Sequence, residues 1–168
     1  MRTLTALACA EGGIPAQASG TAFPANPLAG DSFYRTDLSA WFYWDASRSK
    51  WLSFHTYDLL FGVTSSVSGA YLRVGGAGPT SSGTSGYRAP VDWCIVSASV
   101  SVTSTVTTVI RIMDDGVLNS FVSLTAVASA HDNALNGATI AAGSFVGCVS
   151  TAASGVCVVT VKTRQVAT

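Results

Sequence analysis

The residues of this 168-residue chain that could do chemistry are few and scattered. There are two histidines, His55 and His131, and neither stands in an HxH, HxxxH or HExxH arrangement, the spacings that bring two imidazoles to one metal. His131 precedes Asp132 and serine is abundant, so the residue types of a Ser/His/Asp triad are present. No GxSxG elbow presents a serine nucleophile, however, and nothing sets a serine beside either histidine. Glycoside hydrolysis would need two carboxylates across the scissile bond. Asp114 and Asp115 are adjacent and precede Gly116, which is the chemistry of a turn. Asp31, Asp37 and Asp45 border aromatic runs, at hairpin corners where a carboxylate accepts backbone N–H bonds. Glu11 is the only glutamate, which weakens acid–base chemistry further. The chain is therefore expected not to be an enzyme, with no cofactor and no metal site.

Two other groupings carry weak signals. Cys9, Cys94, Cys148 and Cys157 lack the CxxC pairs of a zinc site. The last three lie in Val-rich runs, where a free cysteine is a small buried hydrophobe; a Cys148–Cys157 bridge is the weaker alternative, and assembly in a reducing cytoplasm is expected. The run Gly75–Gly86, GGAGPTSSGTSG, has the glycines of a phosphate loop but no GK[ST] ending and no following helix, so it reads as a flexible loop.

The elements that must position any functional group are strands. Only 11% of residues are charged against 48% hydrophobic, and the only lysines are Lys50 and Lys162. A chain this poor in Glu and Lys and rich in Val, Ser, Thr and Gly favours strands and turns over helices. Nine basic and nine acidic residues give no net charge, and no basic patch of the kind that phosphate contacts require. Nucleic acid is not an expected partner. A surface with so few charges is poorly protected against association, so oligomerisation is expected. No apolar stretch approaches the roughly 20 residues of a membrane-spanning helix.

The densest feature is Gly30–Ser53, which holds Trp41, Trp44 and Trp51 with Phe33, Tyr34, Phe42 and Tyr43. Its aromatic runs are separated by Asp37–Ala40 and by Asp45–Lys50, a pattern that predicts a three-stranded meander. Alternation puts Trp41 and Tyr43 on one face and Phe42 and Trp44 on the other. Both faces are apolar. One is expected to pack on the rest of the chain and the other to meet a partner. Before the meander, Met1–Ala10 has one Arg and an apolar run of about seven residues, at the lower limit of a secretory signal, and is taken as part of an arm. Residues 11–31, with three prolines and four glycines, continue that arm, which is expected either to be a flexible terminus or to lie with its Ile14, Phe23 and Leu28 along a neighbouring subunit or the meander.

Beyond the meander, Phe54–Val63 and Ala70–Gly75 read as strands. Trp93–Val102 alternates so that Ile95, Ser97, Ser99 and Ser101 share one face and Val96, Ala98, Val100 and Val102 the other. Val106–Met113 and Val117–Thr125 form a hairpin across Asp114-Asp115-Gly116, with Leu118, Ser120, Val122 and Leu124 on one side. Ala126–Gly137 reads as a loop or short helix, and Ser144–Ser150 with Val156–Thr163 as a last hairpin. Seven or eight short strands at turn spacing suggest a two-layer β-sandwich of jelly-roll type. The predicted organisation is an all-β protein: arm and aromatic meander for attachment over residues 1–57, and a jelly-roll-like β-sandwich over 58–168.

Residues 24–53, PANPLAGDSFYRTDLSAWFYWDASRSKWLS, resemble a module of tailed-bacteriophage structural proteins. Pro24, Pro27, Gly30, Asp31, Phe33, Tyr34, Arg35, Thr36, Asp37, Leu38, Phe42, Tyr43, Asp45, Trp51, Leu52 and Ser53 carry the likeness. The turn after Asp45, Ala-Ser-Arg-Ser-Lys, departs from it by being longer than an Asp-Gly type turn. The second half resembles the β-sandwich domains that end many phage fibre, spike and head-decoration proteins, through Arg-Ala-Pro-Val-Asp at Arg88–Asp92 and Ile-Ala-Ala-Gly at Ile140–Gly143. The resemblance implies a homotrimer on the virion surface, attached through its N-terminal segment to other virion proteins such as the major capsid protein. The expected function is a capsid decoration or cement protein. Its alternatives are a tail-fibre or spike tip that binds a host-surface glycan and, less favoured, a polysaccharide hydrolase. The expected interface comprises Phe23, Phe33, Tyr34, Trp41, Phe42, Tyr43, Trp44 and Trp51.

Overall fold

A computed structural model describes residues 18–64, 69–82, 84–103, 107–126, 128–133, 135, 138–150 and 156–167. Cys9, Ile14 and the expected hairpin connection at 151–155 lie outside these residues, as do the side chains of the expected Leu118–Leu124 face. In chain order the strands are β1 (Ser19–Gly20), β2 (Ser32–Arg35), β3 (Ala40–Asp45), β4 (Lys50–Val63), β5 (Arg73–Val74), β6 (Tyr87–Arg88) and β7 (Trp93–Val102). They continue with β8 (Thr108–Asp114), β9 (Val117–Ala126), β10 (Ser129–Asp132), β11 (Thr139–Ile140), β12 (Phe145–Ser150) and β13 (Cys157–Ala167). The fold is all-β, as the composition predicts, and among the described residues no helix is long and apolar enough to cross a membrane.

Strand order defines the topology. One sheet runs β1-β2-β3-β4-β13-β7-β10, with β5 beside β4 and β11 beside β7; the other runs β6-β12-β8-β9. Leave out β1–β3 and the short β5 and β11, and the eight remaining strands stack as first-eighth-third-sixth against second-seventh-fourth-fifth. All their pairings are antiparallel. That is the order of a jelly roll. Its core joins Phe61, Ile95, Val100, Val159 and Val161 of the large sheet to Ile110, Ile112, Val146 and Cys148 of the small one. The aromatic meander is β2, β3 and the N-terminal part of β4, and so it continues the large sheet. The expected boundary between residues 57 and 58 falls inside β4, a single strand that belongs to both parts.

Three expectations are corrected. The segments Ser144–Ser150 and Val156–Thr163 do not pair: β12 lies in the small sheet and β13 in the large one. Ala126–Gly137 contains a strand, β10, paired with β7 from Ser129↔Ser101 to Asp132↔Ala98. In β7, Ala98, Val100 and Val102 are buried and Ser99 and Ser101 exposed, as alternation predicts, but Ile95 is also fully buried. The register against β13 steps from Lys162↔Ser97 to Thr163↔Ile95, so Val96 is a bulge residue. An extra residue flips the pleat, which returns Ile95 to the core.

The loop 75–86 is not a free tip. Residues 70–72 and β6 lie along one edge of β12: the Ser150 N–H donates to the Ala70 carbonyl (3.0 Å), the Leu72 N–H donates to that of Cys148 (2.8 Å), and Tyr87 pairs with Val146. Between these contacts the fully buried Ser81 Oγ donates to the Leu72 carbonyl at 2.7 Å and accepts the Cys148 N–H at 3.1 Å. One hydroxyl thus satisfies backbone groups that the interrupted strand leaves open. The thiols of Cys94, Cys148 and Cys157 are free and buried, and burial raises the pKa of each.

Candidate attachment surface

Short-range chemistry shapes each turn of the meander. Gly30 takes φ +83°, a left-handed conformation that glycine adopts without strain, and Asp31 Oδ2 accepts the Leu28 N–H at 2.8 Å. This turn delivers β2 to β3 in the register Phe33↔Phe42 and Tyr34↔Trp41. After it, Arg35 and Asp37 form a two-point ion pair, Nε to Oδ1 at 2.9 Å and a terminal nitrogen to Oδ2 at 2.8 Å. The Arg35 guanidinium, hydrogen-bonded and beside it in charge, holds the Asp37 carboxyl below the usual carboxylate range. It also lies 4.7 Å over the Phe23 ring.

The two faces of the meander have different fates. On one, Phe33, Phe42 and Trp51 are 6%, 0% and 6% exposed and form a second core with Trp44, Ala40 and Ala167. The chain's own arm covers it: Phe23 stacks on Trp51 with centroids 4.6 Å apart and planes 6° apart, and meets Phe42 edge-on at 5.4 Å. The backbone follows the ring, as β1 pairs in parallel with β2 through Ser19↔Tyr34. Phe33, Phe42 and Trp51 are therefore interior residues of one chain rather than free surface, and Phe23 is their lid.

Among the described residues no segment of the chain stacks over the other face as Phe23 does over the first. Tyr34 and Trp41 pack at 5.1 Å and Tyr43 meets Phe54 at 5.5 Å, all but Phe54 half-buried. Phe54 is 56% exposed and was not among the expected interface residues. An irregularity places it there: β13 pairs Arg164 with Thr56 but Val166 with Leu52, so residues 53–55 of β4 are accommodated opposite Gln165 alone. Arg164 donates to the carbonyls of Ser53 (2.6 Å) and Phe54 (2.7 Å), while Ser53 Oγ accepts the Gln165 N–H and donates to the His55 carbonyl. The same guanidinium stands 5.3 Å over Tyr43. Leu52-Ser53-Phe54 alternates regularly in the sequence, so nothing local marks this displacement.

Comparison with protein-family models, curated proteins and solved structures gives no match for this chain.

The remaining motif residues fall into place as structural parts. The longer turn after Asp45 carries Arg48, which pairs with Asp45 and donates to the carbonyls of Leu135 (2.9 Å) and Val96 (3.2 Å), tying the hairpin to the jelly roll. Arg88–Asp92 and Ile140–Gly143 clasp each other: Asp92 Oδ1 accepts the Ala142 N–H at 2.8 Å, and the Gly143 N–H donates to the Ala89 carbonyl at 2.7 Å. Asp115 and Gly116, at φ +46° and +81°, make the two-residue hairpin turn, and Asp115 Oδ1 accepts the Phe145 N–H. Among the described residues no serine side chain bonds to the ring of His55 or His131, and no three His, Cys, Asp or Glu side chains gather as a metal site would.

Proposed function

We propose that the chain is a structural component of a tailed-phage virion, a trimeric decoration protein of the head surface that performs no reaction. The observation that carries this reading is the row Tyr34, Trp41, Tyr43 and Phe54, an aromatic face on the far side of a sheet whose near side the chain covers itself. Aromatic side chains anchor protein interfaces because they bury large areas at little cost in conformational entropy. Jelly rolls recur in viral capsid and lectin domains, which supports the same class. So does the likeness of residues 24–53 to a phage module, whose marked residues here build the strands and turns of the meander. Docking this face on the shell or on a sister subunit would gain roughly 25 cal/mol per Å² of apolar area buried. Repetition around a closed axis would then reinforce weak single contacts.

The test is the solution mass by light scattering over a dilution series, followed by immunogold labelling of virions that carry the gene. A stable mass of three chains and label on the head are the expected results. A monomer at all concentrations with label on the tail would replace this reading by the tail-tip alternative, in which the same half-exposed Tyr34 and Trp41 stack on a host glycan.

A further inference from the structure

A cleft of about 390 Å³ opens where the β3–β4 hairpin meets the end of the jelly roll, within the roughly 300–1,000 Å³ of small-molecule pockets. Its apolar wall is the half-buried Trp44, backed by the buried Trp51, with the two rings tilted by 58° at 5.7 Å. Phe23 stacks on Trp51 and so fixes the ring against which Trp44 packs. Val166 closes one side, and the rim carries Lys50, Asp92 and Thr139.

The polar groups are arranged for a ligand that both donates and accepts. Asp92 uses Oδ1 to hold the Ala142 N–H, which fixes the carboxylate, and its Oδ2 has no hydrogen bond among the described residues. Lys50 reaches across the junction to Thr139 Oγ1 at 2.5 Å, so ammonium and hydroxyl stand together at the rim. One carboxylate and one ammonium leave the cleft without net charge. A phosphate or carboxylate ligand would face Asp92, and a cationic ligand would face Lys50. A neutral, hydroxyl-rich ligand with an apolar ring face satisfies every group: its C–H face lies on an indole, its hydroxyls donate to Asp92, and its oxygens accept from Lys50 and Thr139.

We propose that this cleft is a binding site for a neutral mono- or disaccharide. The site is separate from the open aromatic row, because Trp44 points to the face opposite Trp41. It is also independent of whether the chain is a trimer.

The test uses the full chain with maltose, cellobiose, lactose and N,N′-diacetylchitobiose as probes, followed by saturation-transfer NMR and calorimetric titration. Saturable binding of at least one is expected. Asp92→Asn keeps an oxygen for the Ala142 N–H but loses the charge, and should weaken that binding roughly tenfold, the size of one charge-assisted hydrogen bond. Trp44→Ala should abolish it, and Trp41→Ala should leave it unchanged. Unchanged binding in Asp92→Asn, or loss of binding only in Trp41→Ala, would overturn the assignment. So would the absence of saturable binding for all four sugars.

Discussion

The ring of Phe23 lies flat against the indole of Trp51, 4.6 Å between centroids and 6° from parallel. Through this contact a proline-bordered arm becomes the lid of a second hydrophobic core. Phe23→Ala would uncover Trp51, Phe33 and Phe42. Because Phe23 is only half-buried, the loss should be about 2 kcal/mol, below the roughly 3–5 kcal/mol of a fully buried Phe→Ala. Denaturant unfolding should show a lower midpoint, and tryptophan emission should shift to the red before global unfolding.

The open face makes a different prediction. Phe54→Ala removes a side chain that is 56% exposed and should change the stability of the isolated chain by no more than about 1 kcal/mol. Trp41 is half-buried, so Trp41→Ala should cost about 2 kcal/mol, as Phe23→Ala does. If the row is the docking face proposed above, oligomer mass and virion attachment should fall in both variants. Light scattering and co-sedimentation with heads read the two effects separately. A large loss of stability with an unchanged oligomer would assign the row to folding.

Ser81 is expected to matter beyond its size. Ser81→Ala leaves the Cys148 N–H without its acceptor in a buried place, which costs about 1–3 kcal/mol. Amide exchange should quicken at Leu72 and Cys148 as well as in the loop. An unchanged exchange pattern would show that the hydroxyl does not hold the break in the strand.

Two glycines separate steric from conformational demands. A Cβ on Gly86 would lie 2.3 Å from the Val146 carbonyl oxygen, a backbone atom with no room to retreat, so Gly86→Ala should cost at least about 1–3 kcal/mol. Gly30 has open space around it but φ +83°, so Gly30→Ala should cost only about 1 kcal/mol, from left-handed strain alone. Thermal unfolding of both variants would rank them.

Two aspartates should give opposite pH signatures. Burial pushes Asp45 up, but the Ser47 hydroxyl and Arg48 outweigh it and the carboxyl sits below its ordinary value. Its contribution is present above the unfolded-state pKa of about 4 and is lost as pH falls through the lower folded value. Asp114 is raised, first by burial and then by the charge of Asp115, against a hydrogen bond from Ser144. Ionising it opposes folding, so stability falls as pH rises from its unfolded to its folded value. Asp45→Asn should therefore destabilise the chain at neutral pH and Asp114→Asn stabilise it. Both differences should vanish in acid, as followed by denaturation midpoints against pH.

What the sequence revealed divides by range. Turns were legible because their chemistry is local: Asp31 closes on Leu28, Asp45 on Arg48, and Asp115-Gly116 needs only its own dihedrals. Alternation also separated Phe42 and Trp44 from Trp41 and Tyr43. It could not say which face the arm would cover, so Phe33, Phe42 and Trp51 were expected at an interface and lie inside. The bulge at Val96 and the displacement of Phe54 are imposed by β13, whose Arg164 stands 111 residues from Ser53. The placement of β12 and β13 in different sheets is likewise a property of strand order, which short-range pattern does not encode.

β4 has one further consequence. It is hydrogen-bonded to β3 near its start and to β13 from Trp51 to Val63. A pull applied through a docked meander runs along this strand into the body of the jelly roll. The bonds to β13 lie across that direction, so they must yield together in shear rather than open one by one. A strand held in common thus makes the meander and the body a single mechanical member, which is what the proposed attachment to a particle surface would require.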